Sequence, residues 1–135
     1  MFNDLYKAIY ALLAADATFT ALCSTANIRS SLDPLAPATG NVFTYAIDGA
    51  SYNPKTKRGG ASLKVFANSN VNKATSHLMM NRFFQVVTAR TLASVAGVST
   101  VCSLFRESEG ARTDSTEEDG YWQVETSVDM KVVQI

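Results

Sequence analysis

Histidine is almost absent from this sequence of 135 residues, His77 being the only one. Any Ser-His-Asp or Cys-His arrangement must use that ring, and a zinc centre built on several histidines is excluded. A lone ring with no recognisable partner reads as a solvated helix residue. Cysteine is nearly as scarce. Cys23 and Cys102 are too far apart for a C-x-x-C motif and too few for a disulfide framework, so both are expected reduced and buried. No Asn-x-Ser/Thr sequon occurs, which fits synthesis in a reducing cytoplasm. No apolar run reaches the ~18 residues of a spanning helix, so no membrane span is expected. An excess of one charge is also missing. Twelve Lys and Arg balance twelve Asp and Glu, which removes the bulk attraction that defines a nucleic-acid coat or a polybasic membrane binder. With only 18% charged residues, the monomer has little electrostatic protection against association.

What is present suits one ordinary domain over residues 1–135: 47% of residues are hydrophobic and 10% aromatic. A chain of this length buries about 68% of its unfolded surface, enough for a core without metals or disulfides. The segment Ile9 to Ala15 is apolar, and Ala15-Asp16-Ala17 imitates a signal-peptidase site. Asp4 and Lys7 spoil the flanks, whereas Leu5, Ala8, Ile9, Leu12 and Leu13 fall on one face of a helix. A cytosolic amphipathic helix is predicted, capped by Asn3 or Asp4, with Phe2 over its first turn. A short helix over Ala17 to Cys23 continues the pattern through Phe19, Leu22 and Cys23.

Ile28 to Leu32 reads as a brief strand, and Asp33-Pro34-Leu35-Ala36-Pro37 as an irregular link enforced by two prolines. Asn41 to Asp48 alternates Phe43, Tyr45 and Ile47 with Val42, Thr44 and Ala46, a strand pattern. Its expected partner is Ala61 to Asn68, with Leu63, Val65 and Ala67 on one face. Between them, Gly49 to Gly60 reads as a flexible hairpin loop carrying Lys55, Lys57 and Arg58 without an acid. Its glycines lack Walker spacing and lead into a strand, so nucleotide binding is not expected.

A second helix is predicted from Asn70 or Asn72 to about Thr91, burying Met80, Phe83, Phe84 and Val87, with Met79 and Val86 widening the stripe. These side chains need no cofactor to explain them. Gly97 is a plausible terminator after Ala93 to Ala96. Thr100 to Arg106 is a strand with Val101, Ser103 and Phe105 opposite Cys102 and Leu104. Glu107 to Gly120 then holds Glu107, Glu109, Asp114, Glu117, Glu118 and Asp119 against Arg112 alone, a mobile acidic loop by composition. The calcium-loop spacing is absent, so no metal is expected. Tyr121 to Val132 has period two over a dozen residues, with Trp122, Val124, Thr126, Val128, Met130 and Val132 inward. The fold class is α+β: an antiparallel sheet of four to five strands with two main helices packed on one face. Long hairpins of opposite charge and open sheet edges suit assembly better than catalysis.

At this point "LYKAIYALLAADATFTALC" (Leu5 to Cys23), the Pro-rich step into Val42 to Asp48, the strand Ser62 to Ala67 before the Asn72 to Thr91 helix, and "DGYWQVETSVDMKV" (Asp119 to Val132) resemble the tail terminator, or tail completion, proteins of long-tailed bacteriophages. The resemblance covers nearly the whole chain and rests on element order and hydrophobic pattern. It implies a virion protein made in the host cytoplasm and placed at the head-tail junction. There it would form a ring, commonly a hexamer, on the tail tube protein, ending tube growth and meeting the head-to-tail connector or stopper protein. It implies no catalytic residue, cofactor, metal or membrane partner, and nucleic acid only as genome passing through the lumen. A heterologous ring needs two complementary patches per subunit, and the basic residues Lys55, Lys57 and Arg58 with the acidic Glu117, Glu118 and Asp119 are the candidates. Three alternatives stand beside this reading. They are another stopper or adaptor ring, a DNA-binding module using Lys55, Lys57 and Arg58 on phosphate, and a small enzyme in which His77 or an acidic pair converges in a pocket.

Overall fold

The computed structural model describes residues 2–30, 40–98, 100–115, 117 and 120–134. Helices α1 (Phe2–Ala15) and α2 (Ala17–Leu22) lead through a 3-10 turn at Thr25–Asn27 into strand β1 (Ile28–Ser30). Strands β2 (Val42–Asn53) and β3 (Arg58–Ser69) form a hairpin, followed by helices α3 (Lys73–Val86) and α4 (Ala89–Ala93). Strands β4 (Thr100–Glu107), β5 (Thr113–Asp114) and β6 (Trp122–Gln134) complete the chain. The sheet order is β1-β2-β3-β6-β4, with β5 paired to β6. The fold is α+β as expected, but the sheet is mixed, not antiparallel throughout: β1 runs parallel to β2, with Ile28 opposite Phe43 and Ser30 opposite Tyr45. A parallel neighbour needs a long return connection, and residues 31–41 separate the two strands in sequence. The expected strand end at Leu32 and the Asp33 to Pro37 link lie outside the described residues.

Alternation fixes which face is covered. Leu63, Val65 and Ala67 of β3 stand opposite Val128, Thr126 and Val124 of β6, and all six are buried. They meet Leu5, Ile9 and Leu13 of α1, Phe19 of α2, and Met79, Met80 and Phe83 of α3 in one cluster. Of the inward residues read from β6, Val124, Thr126, Val128, Met130 and Val132 are buried, and Trp122 is only partly so. In β4 the parity changes partway: the register shifts between Cys102 and Leu104, so Cys102 and Phe105 both join the core. One extra residue in a strand turns the following side chains over, which strict alternation could not anticipate.

Helix boundaries also depart from periodicity. Helix α1 begins at Phe2, so Asn3 and Asp4 lie in its first turn, where the Asp4 carboxylate complements the helix dipole, and are not its caps. Helix α3 opens as expected at Asn72, whose side chain accepts from the Thr75 N–H at 2.8 Å. It stops at Val86 instead of Thr91, because Val87 and Thr88 are extended (φ −101° and −133°). The β-branched run Val86-Val87-Thr88 is stiff in a helix, and Thr88 forms a capping box with Thr91 that starts α4.

The largest correction concerns Gly49 to Gly60, which is a strand pair with a short turn and not a flexible loop. Ser51, Tyr52 and Asn53 pair with Gly60, Gly59 and Arg58, after a register shift between Ile47 and Ala50. Gly49 occupies that shift with φ +80°, the left-handed region that glycine enters without strain. At the tip, Asn53 Oδ1 accepts from the Lys55 N–H at 3.0 Å, a local turn that Asn favours. The hairpin is polar, yet β6 runs on to Gln134 beside it, pairing Arg58 with Val133 and Gly59 with Val132. A third strand supplies the hydrogen bonds that an isolated hairpin would lack. Gly59 is required here, since a Cβ would stand 2.5 Å from the Ser51 carbonyl oxygen.

Aromatic contacts converge on Phe83, which is fully buried. Its ring centroid lies 5.1 Å from Phe43, 5.0 Å from Phe84 and 6.1 Å from Phe105, joining α3 to both sides of the sheet. Replacing it by alanine removes a ring's burial and leaves a cavity. Phe83→Ala is expected to lower the unfolding free energy by about 3–5 kcal/mol in urea titration, and a loss under about 1 kcal/mol would contradict this assignment of the core.

Candidate functional site

The basic end of the sheet is built from the β2–β3 turn and the end of β6. The Gln134 N–H donates to the Lys57 carbonyl at 2.9 Å, and the Tyr52 hydroxyl donates to Gln134 Oε1 at 2.7 Å. Lys57 is held at φ +57°. These contacts fix the backbone while leaving Lys55, Lys57 and Arg58 exposed. Beside them, an open groove of about 710 Å3 is lined by Arg58 and Lys131, with Ser51, Asn53 and Ser103 around Gly60. Among the described residues, neither cation has an ion-pair partner, nor have Lys55 and Lys57. Sequence reasoning missed Lys131 as a member of this group. Its place in the alternation of β6 marked it as outward, but only the pairing of Gly60 with Lys131 brings it to the hairpin.

The acidic end is more committed than its composition implied. Glu107 belongs to β4 on the helix-covered face, and Arg112 grips it with Nε on Oε2 and Nη2 on Oε1, both at 2.9 Å. The Thr126 hydroxyl donates to the same carboxylate. Arg112 also reaches Asn81 of α3 and lies 5.7 Å from the Phe84 ring centroid, a cation–π distance. Asp114 of β5 meets Lys73 at 3.6 Å and His77 at 3.4 Å, both on α3. Residues 107–114 are thus strapped over α3, and the expectation of a wholly mobile acidic loop is corrected for that part. His77 does have a carboxylate partner, but at 37% side-chain exposure beside an Asp114 at 43% the pair lies on the surface. Glu117 accepts from the Gly120 N–H at 2.9 Å. Glu118 and Asp119 lie outside the described residues.

The two ends do not meet within a subunit. Arg58 pairs with Val133 and Ser69 with Trp122, so eleven strand steps, about 36 Å at roughly 3.3 Å each, separate the basic turn from the start of β6. Lys55, Lys57 and Arg58 are brought together at one end, and Glu117 stands at the other. Between them, charges cancel locally. Lys64 bridges Asp48 at 3.9 Å and Glu125 at 3.6 Å on the open face. Among the described residues, no three metal-ligating side chains cluster, and no helix is long and apolar enough to cross a membrane.

A further ion pair, between residues 66 positions apart, gave no sequence signal. Asp16 caps α2 by accepting from the Phe19 N–H at 2.8 Å, and its two oxygens also receive Arg82 Nε at 2.9 Å and Nη2 at 2.7 Å. Such a planar two-point fit is specific to arginine. The hydrogen bond from Arg82 holds the Asp16 carboxyl below its ordinary value, aided by the Phe19 N–H and opposed by burial. Burial alone would raise Glu107, but the hydrogen bonds from Arg112 and Thr126 outweigh it and leave that carboxyl lowered as well.

No family model matches this chain, and no curated protein matches it in sequence. Its fold is nevertheless found among solved structures. It is similar to a chain in the virion of a native gene transfer agent (GTA) particle. The TM-score is 0.73 at 15% identity, with 96% of this chain and 94% of that chain covered. An alignment this complete includes both helical and sheet layers, and at such low identity it speaks for shared architecture.

The lowered carboxyls predict an acid-sensitive fold. A group with a depressed folded value contributes stability fully above its unfolded value, here 3.8 for Asp16 and 4.5 for Glu107, and loses it as pH falls through the folded value. Thermal unfolding followed by circular dichroism should therefore show a steeper fall in Tm below pH 4.5 for wild type than for Asp16→Asn with Glu107→Gln. Parallel curves would remove these two carboxylates as the cause.

Proposed function

We propose that this chain is a structural virion protein: a ring subunit at the head-tail junction that caps the tail tube, ends its polymerisation and joins it to the head connector. The observation that carries the reading is the fold shared over nearly the full length with a chain of a gene transfer agent virion. The element order and sequence pattern that resemble the tail terminator proteins point the same way. Physical features support a repeated part. The chain has zero net charge and charged groups of opposite sign left unpaired on different parts of the sheet, and among the described residues β4 and the outer half of β2 pair with a strand on one side only. A single-chain ring needs different patches on its two sides, and an asymmetric subunit of this kind provides them.

The chain works by binding and not by catalysis. His77 and Asp114 have the geometry of an exposed ion pair. The two thiols are buried, and burial pushes both up to about 11, which keeps them protonated and poor nucleophiles at neutral pH.

Imaging of particles that contain this protein should show one symmetric layer of it between tail tube and connector. A single copy, or a place in the capsid shell, would refute the reading. In the same particles His77→Ala should leave assembly yield unchanged within about twofold, because an exposed, solvent-screened pair of this kind contributes little. Loss of function by that variant with fold and assembly intact would instead favour catalysis.

A further inference from the structure

We propose that the groove at the hairpin end receives the acidic end of a second copy of this chain, so that subunits join head to tail. This rests on the reading of the chain as a repeated virion subunit and names the contact through which it repeats. The groove holds Arg58 and Lys131 and no carboxylate among its lining residues. Its floor at Gly60 has no side chain, which leaves room for an extended segment to approach the backbone. Lys55 and Lys57 stand at the adjoining turn and enlarge the positive field.

The matching negative groups stand along the other half of β6, from Glu107 opposite Val128 to Glu117 beside Gly120. Glu107 and Asp114 are already held by Arg112, Lys73 and His77. Glu109 and Glu117 are exposed and, among the described residues, have no ion-pair partner. Glu117, beside Gly120, stands about 36 Å along the sheet from the basic turn and cannot reach the groove of its own subunit; Glu109 follows Ser108, which bonds to Ser127, and lies about 20 Å along β6 from that turn, so both are left to meet the groove of another copy. Charge complementarity favours a copy over nucleic acid. The groove end offers four unpaired cations, whereas a polyanion approaching a chain of zero net charge also meets the acidic end. One contact of exposed charges is weak and salt-sensitive. Repetition through the same two patches closes a ring or extends a filament.

Sedimentation of the purified protein over a concentration series tests this directly. Association is expected at about 50 mM salt, with the dissociation constant rising at least about tenfold at about 500 mM as the screening length shrinks. Arg58→Glu with Lys131→Glu should be monomeric, and so should Glu109→Lys with Glu117→Lys. Mixing the two variants pairs a native groove with native acids and a reversed groove with reversed acids, so the mixture should regain association that neither variant shows alone. Arg58→Gln with Lys131→Gln, a milder change, should weaken association in the same direction if the reversed variant fails to fold. Wild type that stays monomeric at every concentration and salt, variants that associate like wild type, or a mixture that does not associate would each overturn the proposal. So would retention of a short DNA duplex that the groove variant loses while self-association is unchanged, which would assign the groove to phosphate. Particle imaging decides the location independently, so head-to-tail dimers from a chain absent at the junction would fail that reading alone.

Discussion

Register between β3 and β6 governs this molecule. Twelve residues of each strand pair without a break, from Arg58 with Val133 to Ser69 with Trp122. A one-residue slip of β6 against β3 would send Val124, Val128 and Met130 to the open face and bring Glu125, Asp129 and Lys131 inward. Burying unpaired charge is far costlier than losing a ladder bond, so this pairing admits one solution. Everything peripheral is placed by it: the hairpin is held because β6 extends beside it, β4 reads its register from the other edge of β6, and β5 docks on the first turn of the same strand.

Charge is sorted by that frame. In the middle of the sheet, and where helix meets helix, opposite charges are matched within the subunit: Lys64 with Asp48 and Glu125, Arg82 with Asp16. Elsewhere some stay unmatched: Lys55, Lys57, Arg58 and Lys131 by the hairpin, and Glu109 and Glu117 beyond the Arg112–Glu107 and Lys73–Asp114 pairs, have no ion-pair partner among the described residues. A sequence with equal numbers of positive and negative residues thus folds into an object with two unlike poles, and the zero total conceals it. The same sorting explains why Glu107, counted by composition with the free acids, serves as an anchor: it lies on the helix-covered face, where only the paired, hydrogen-bonded form is tolerated.

Much of the fold was legible because periodicity and burial coincide. Leu5, Ile9 and Leu13 in α1 and Val124, Val128, Met130 and Val132 in β6 are apolar at the right spacing, and the structure buries them. The misread parts are those where distant context decides. Ser51 to Asn53 and Arg58 to Gly60 have poor strand propensity and become strands because a third strand completes their hydrogen bonding. The break after Val86 depends on a side-chain cap at Thr88, a local competition that hydrophobic spacing does not register. The bulge in β4 inverts parity without a glycine to announce it. Of the candidate site, Lys55, Lys57 and Arg58 were visible as a basic turn. Lys131 was invisible, since membership there requires knowing which strand lies beside Gly60.

The two cysteines carry a consequence of another kind. Cys23 lies against the Asn41 carbonyl and Cys102 against that of Leu104, one thiol at the end of α2 and one on the outermost strand. With both thiols up at about 11, the fraction ionised near pH 7 is on the order of one in ten thousand. Electrophiles and oxidants therefore find almost nothing to attack in the closed molecule, and a particle built from it could pass from a reducing interior to an oxidising exterior without acquiring cross-links. Chemical damage at either sulfur is timed by how often that part of the protein opens, which makes the two thiols separate clocks for the helical layer and for the edge of the sheet.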